Sequence, residues 1–476
     1  MQFRERFSLI LKLLLPLLVL VVLSAQPAST RVGGALRDAQ AASSAGQHAE
    51  AADHYRAALD REPWRLELWE AVAREEQQAG RLEQAEEAYL QAQANGQLSA
   101  QGRRALAEVY SLLGETDKAL TAWQAVIRED GPAGAVYEQM AQVYRSRGEL
   151  ESAVAVLREW RAKEPGSARA AYLLGLYLSV SDPDAAVKLL VEAAQVDNSY
   201  TAMVQPLRTG ISQAQIAENS AYGWLMIGRA LGGAGQWDLA ERAFVQSVED
   251  MPQYAEAWAF LGEARAHLGG TGRPELDQAR SLAPDSTVVR ALMAVYWRRQ
   301  GEPDRALEEL RAVAAQEPGE PVWQVEMGNT MVDKGDLVEA RMYYQKAVEL
   351  APDVPAYWVA LAYFSAQYSD DVRGVGIPAA RQAVVLAPND PTALDAMGLA
   401  LMTVGDLASA ERFLQRAVEE DAGYALAQLH LGQLYLQKQD TWGAYPYLRG
   451  AKNLASGGQV AEIAGRLLVR YYGDAK

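Results

Sequence analysis

The sequence predicts an all-α chain, an α-solenoid of about twelve helix pairs behind an amino-terminal transmembrane or signal helix. Three observations carry this. Alanine-rich segments end in prolines spaced close to 34 residues apart: Pro252, Pro284, Pro318, Pro352 and Pro388. Between them, small and large residues recur in register, as stacked helix pairs need. Ahead of the array lies the apolar run Phe7 to Leu23, preceded by MQFRER.

The apolar run comes first in the chain. Seventeen helical residues span about 25 Å, slightly short of the hydrocarbon core of a bilayer. Phe7, Leu13, Leu17 and Val21 would face lipid, and Lys12 can reach back to headgroups. Two readings stand, a cleaved signal peptide or an uncleaved signal anchor. Cutting after Ala25 or Ala28 leaves Leu23 or Gln26 at −3, where a small residue is wanted, which favours the anchor. With no cysteine in the chain, attachment of a lipid at cysteine is excluded. Arg4 and Arg6 place the amino terminus in the cytoplasm and the rest of the chain outside it.

From residue 32 the repeats begin. With the proline set at position 32, position 15 is Gly46, Gly80, Gly114, Gly148, Gly235, Gly269, Gly301, Gly335 and Gly405. Glycine there ends a first helix, because it alone takes a left-handed conformation without strain. Position 8 is alanine or glycine and position 20 alanine, so two helices approach closely. Large residues at position 24, among them Tyr89, Trp123, Phe244 and Tyr344, fill the space left. Aromatic residues recur at or beside position 4: Trp69, Tyr137, Trp224, Trp258, Trp323 and Trp358.

These positions resemble the tetratricopeptide repeat family. The segment AYGWLMIGRALGGAGQWDLAERAFVQSVEDMPQY, from Ala221 to Tyr254, matches its pattern at Trp224, Ile227, Gly228, Leu231, Ala240, Phe244 and Pro252. The resemblance implies a right-handed superhelix. It divides the chain into a leader (1–31), repeats one to five (32–200), an inserted helix or joint (201–220), repeats six to twelve (221–458) and a capping helix (459–476). The seventh repeat is two residues short, and the tenth carries two extra residues in SDDVRGVGIP.

No enzyme signature is present. GGAG at 232–235 falls at a repeat turn with no strand before it, so it is not a dinucleotide fingerprint. The four histidines, His48, His54, His267 and His430, lack metal-ligand spacing, and no catalytic site, metal or cofactor is expected. A net charge of −16 disfavours nucleic acid and points to basic or neutral partners rather than acidic ones.

The resemblance implies a binding scaffold whose partner segment lies on the concave surface of the first helices, at positions 2, 5, 9, 12 and 13. In repeats two to four these residues are polar, including Glu70, Arg74, Gln77, Gln78, Gln101, Arg104 and Glu108. The family's carboxylate-clamp variant uses lysines on successive first helices, and none stands here. In repeats nine to twelve the positions are mostly apolar. Val322, Val325, Val359, Tyr363, Leu399 and Leu429 would form a groove for an apolar or helical segment, with Asn329 and Gln433 bonding its backbone. The alternative is that curvature or the capping helix buries them. The alanine- and arginine-rich, lysine-poor composition is expected of a bacterial chain. The functional expectation is a membrane-anchored scaffold of a cell-envelope complex. Two other readings stay open: an accessory subunit of a glycan export or glycosyl-transfer system, and a cytoplasm-facing anchored regulator.

Overall fold

The nine glycines at position 15 all take a left-handed backbone, with φ between 71° and 89°. Each ends one helix and lets the next fold back against it. Three repeats lack that glycine. In the tenth and twelfth, Ser369 (φ 53°) and Gln439 (φ 63°) adopt the same conformation against the preference of their side chains, whereas the fifth turns at Asp182 with φ −146°. A Cβ at Gly405 would meet nothing within 4 Å. Gly405→Ala is therefore expected to cost only the left-handed penalty, about 1–2 kcal/mol, read as a lowered urea midpoint.

The structure is a computed structural model that describes residues 32–131, 133–455 and 458–473. The anchor positions Phe7, Leu13, Leu17 and Val21 lie outside these. Among the described residues there is no strand, and no helix is long and apolar enough to cross a membrane. The fold is all-α.

One compact unit ends at Gln215. Its helix hairpins are α1 (32–44) with α2 (His48–Arg61), α3 (Leu68–Gln78) with α4 (Leu82–Ala94), α5 (Ala100–Leu112) with α6 (Thr116–Asp130), α7 (Gly134–Ser146) with α8 (Leu150–Lys163), and α9 (Ala168–Leu178) with α10 (Pro183–Val196). A last helix, α11 (Thr201–Gln215), buries Val204, Leu207 and Ile211 despite Pro206 within it.

A second unit starts at Ile216. It holds α12 (Ser220–Gly233) with α13 (Trp237–Asp250), α14 (Ala255–His267) with α15 (Arg273–Leu282), α16 (Thr287–Arg299) with α17 (Pro303–Gln316), α18 (Pro321–Lys334) with α19 (Leu337–Leu350), α20 (Pro355–Tyr368) with α21 (Ile377–Leu386), α22 (Pro391–Thr403) with α23 (Leu407–Glu420), and α24 (Ala425–Gln437) with α25 (Thr441–Leu454). The helix α26 (Gly458–Tyr472) follows, with Ala464 and Leu468 buried against Leu429, Ala444 and Leu448.

Local chemistry starts the helices. Pro303, Pro321, Pro355 and Pro391 open theirs at a position where the missing N–H costs nothing. Side chains of Ser99, Asp336 and Asp406 accept from free amides of the first turn. Within hairpins, the small residue at position 8 faces the large one at position 24. A Cβ on Gly228 would stand 2.4 Å from the Phe244 ring, and one on Gly398 would stand 2.5 Å from Leu414. Between repeats, the indoles of Trp258 and Trp358 donate to the carbonyls of Pro252 and Pro352, at 2.9 and 2.8 Å. The position-4 aromatics thus clip these two repeats to the ones before.

The irregular repeats are absorbed in two ways. In the short seventh repeat, Gly262 and Gly272 bring two backbones together. In the tenth, the extra residues form a π-helical turn, Val372–Gly376, entered through Asp371 at φ 45°.

Candidate partner-binding surfaces on the first helices

In the second unit, α18 and α20 line a cavity of about 400 Å³. Val325, Asn329 and Val332 come from α18, and Ala360, Tyr363 and Phe364 from α20. The structure therefore brings Val325, Asn329 and Tyr363 together. Val322, Leu399 and Gln433 fall outside this lining: Val322 is exposed, and Leu399 packs half-buried on the core. The carboxamide oxygen of Asn329 accepts the Tyr344 hydroxyl, which leaves its amide hydrogens to face the cavity. Burial pushes the Tyr344 hydroxyl well above its ordinary range, so it stays a donor.

Two of the expected groove residues offer no surface. Leu429 is 2 % exposed and packs with α25 and α26. Val359 is 8 % exposed and belongs to the core formed by α18 to α24. The next helix in the stack covers both, so at these positions apolar character reports packing rather than a site.

A polar cluster under Tyr363 was missed in the sequence. Asp395 of α22 is 0 % exposed. Its carboxylate accepts from His430 Nδ1 of α24 at 2.9 Å and from the Tyr363 hydroxyl of α20 at 2.6 Å. Because Tyr363 spends its one proton on Asp395, the Tyr424 hydroxyl, 3.1 Å away, donates to Tyr363. Burial first, then the Asp395 charge, holds the Tyr363 hydroxyl far above its usual range. The same two causes push Tyr424 up to about 12. A signal was available: Asp395 occupies position 5, amid apolar neighbours at the equivalent places.

In the first unit, the corresponding face is polar. Glu70, Arg74, Gln77 and Gln78 of α3 and Gln101, Arg104 and Glu108 of α5 line a cavity of about 290 Å³. Much of its polarity is consumed internally. Glu70 accepts from the Ser99 amide and hydroxyl, both at 2.7 Å, and the Tyr89 hydroxyl donates to Gln77 at 3.0 Å. Of the other histidines, His48 Nδ1 meets Glu75 at 2.7 Å, His54 lies 3.8 Å from Glu50, and His267 stacks on Trp237 with ring centroids 3.7 Å apart.

Helix hairpins of this register, with first-helix surfaces left open, define an α-helical repeat protein of the binding class. The tetratricopeptide repeat family model matches residues 71–135, 225–285, 292–355 and 396–458, and the chain belongs to that family. No catalytic family is indicated. Yeast Tom70 is 13% identical, covering 93% of this chain and 96% of its own, with a TM-score of 0.44. The Cut9–Hcn1 hetero-tetramer of the APC/C gives 15% identity, 93% and 96% coverage, and a TM-score of 0.41. PilF of Pseudomonas aeruginosa gives 20%, 44% and 96%, with a TM-score of 0.34. At this similarity nothing of these proteins' roles transfers to the chain. No curated protein matches it in sequence.

Proposed function

We propose that this protein is a membrane-anchored scaffold of a cell-envelope complex. Residues 7–23 form its anchor, the repeats lie outside the cytoplasm, and the α18–α20 cavity holds an apolar or helical segment of a partner protein. The family is suited to protein–protein interaction. The observation that carries the particular site is the cavity itself. Its wall joins Val325, Val332 and Phe364 to the Asn329 carboxamide, Gln367 and the ion-paired Arg298 and Asp333, so it sets an apolar strip beside polar groups that can bond a partner's backbone. A net charge of −16 favours a basic or neutral partner.

Val325→Asp puts a charge in that wall without entering the buried core. In a mild-detergent pulldown, the variant is expected to lose at least one protein that wild type retains, with its circular dichroism unchanged. An identical partner list from the folded variant would sink the site. Protease attack on the repeats in spheroplasts but not in intact cells is the expected sign of the proposed orientation.

A further inference from the structure

We propose that α25 and the close of α26 form a docking face for an anionic lipid surface. This face lies apart from the α18–α20 cavity and does not depend on it.

Charge sets this stretch off from the rest of the chain. From Ala425 to Gly473 stand five basic side chains, Lys438, Arg449, Lys452, Arg466 and Arg470, and two acids, Asp440 and Glu462. The stretch is therefore net positive in a chain of net charge −16. Both acids are engaged. Asp440 accepts from the Gly443 amide at 2.8 Å, and Glu462 pairs with Arg466 at 2.7 Å. Lys438 is held by Glu411 of α23, also at 2.7 Å. Among the described residues, Arg449, Lys452 and Arg470 have no ion-pair partner. Arg470 sits instead over the Tyr471 ring, 5.6 Å from its centroid.

Aromatic side chains stand beside these free cations. Trp442 is 89 % exposed, more than any other large apolar side chain among the described residues. Val469 and Tyr471 are exposed as well. The Tyr472 hydroxyl donates to the Thr441 carbonyl, and its ring meets Tyr445 edge-on at 5.0 Å. Those contacts hold the last turn of α26 beside the first turn of α25, so Trp442 and Tyr471 come to the same end. Pro446 and Arg449 follow Trp442 at i+4 and i+7, on one side of α25. Trp442 contributes little to the fold, and its apolar area stays open to a docking surface. Tryptophan and tyrosine settle at the headgroup level of a bilayer, and basic side chains are drawn to anionic headgroups. The acidic remainder of the chain opposes this weakly, because exposed charges farther off than about 8 Å are screened at physiological salt.

The chain has no cysteine, so Pro446→Cys carries a single thiol for an environment-sensitive fluorophore on this face. The full chain is mixed with vesicles of phosphatidylcholine alone or of equal parts phosphatidylcholine and phosphatidylglycerol. The expected result is a blue shift of emission on the anionic vesicles only, reversed by high salt. Adding Trp442→Ser and Arg449→Gln, both at exposed positions, is expected to abolish the shift with circular dichroism unchanged. Equal emission on the two vesicle types, or a shift that survives the double substitution, overturns the proposal. A probe that ignores phosphatidylglycerol and answers soluble polyglutamate assigns the face to an acidic protein and overturns it too. So does a shift on phosphatidylcholine that grows with protein concentration, which marks a second copy. Cosedimentation with phosphatidylcholine vesicles reads the anchor at residues 7–23 and probe emission reads this face, so the two fail separately.

Discussion

Replacing His430 with alanine is expected to destabilise the repeats around α22 and α24 by about 3–5 kcal/mol, because it strands a buried carboxylate. Asp395 is closed from water, and after the substitution only the Tyr363 hydroxyl at 2.6 Å supports it. In a repeat array each hairpin is held mainly by its neighbours, so the loss concentrates locally. Hydrogen exchange is expected to accelerate in α20, α22 and α24 and to stay unchanged in α3 to α8. Removing both side chains together, with Asp395→Leu and His430→Leu, is expected to cost less than His430→Ala alone, since no buried carboxylate is left unpaired. A single variant as stable as wild type would show that the pair contributes nothing.

The second large effect lies in the shortened seventh repeat. Gly272 has φ 64°, and a Cβ there would stand 2.0 Å from the Gly262 carbonyl oxygen. That obstacle is backbone, and no side chain can turn aside. Gly272→Ala combines the left-handed penalty of about 1–2 kcal/mol with a displacement of α14 from α15, about 1–3 kcal/mol more. The urea midpoint is expected to fall by clearly more than for Gly405→Ala, where the added methyl meets open space. Equal midpoints for the two variants would mean that the close approach does not hold in solution.

These two sites mark the boundary between what sequence shows and what it hides. The helical class and the register of the hairpins were legible because one residue type carries each requirement. Glycine at position 15 turns the chain, and Gly228 or Gly398 leaves room for Phe244 or Leu414. The left-handed turns at Ser369 and Gln439 were not legible, since nothing local favours that conformation there. The Asp395 cluster was hidden for a different reason. Its three members come from three repeats, and Tyr363 and His430 stand 32 and 35 residues from the carboxylate. A lone acid on an inner face looks solvated until its neighbours are in place. Leu429 fails in the opposite sense: it looks like open groove until α26 covers it.

The central claim is that the inner surface of the second unit, at α18 and α20, receives a partner. The most direct measurement is photo-crosslinking in cells from a benzoylphenylalanine placed at Val325, compared with one at Met342. Met342 is 62% exposed on the second helix α19, so accessibility favours it over Val325. The expected result is a discrete adduct from position 325 and none of that mass from position 342. An adduct from position 342 alone would place the partner on the opposite helix layer and contradict the claim.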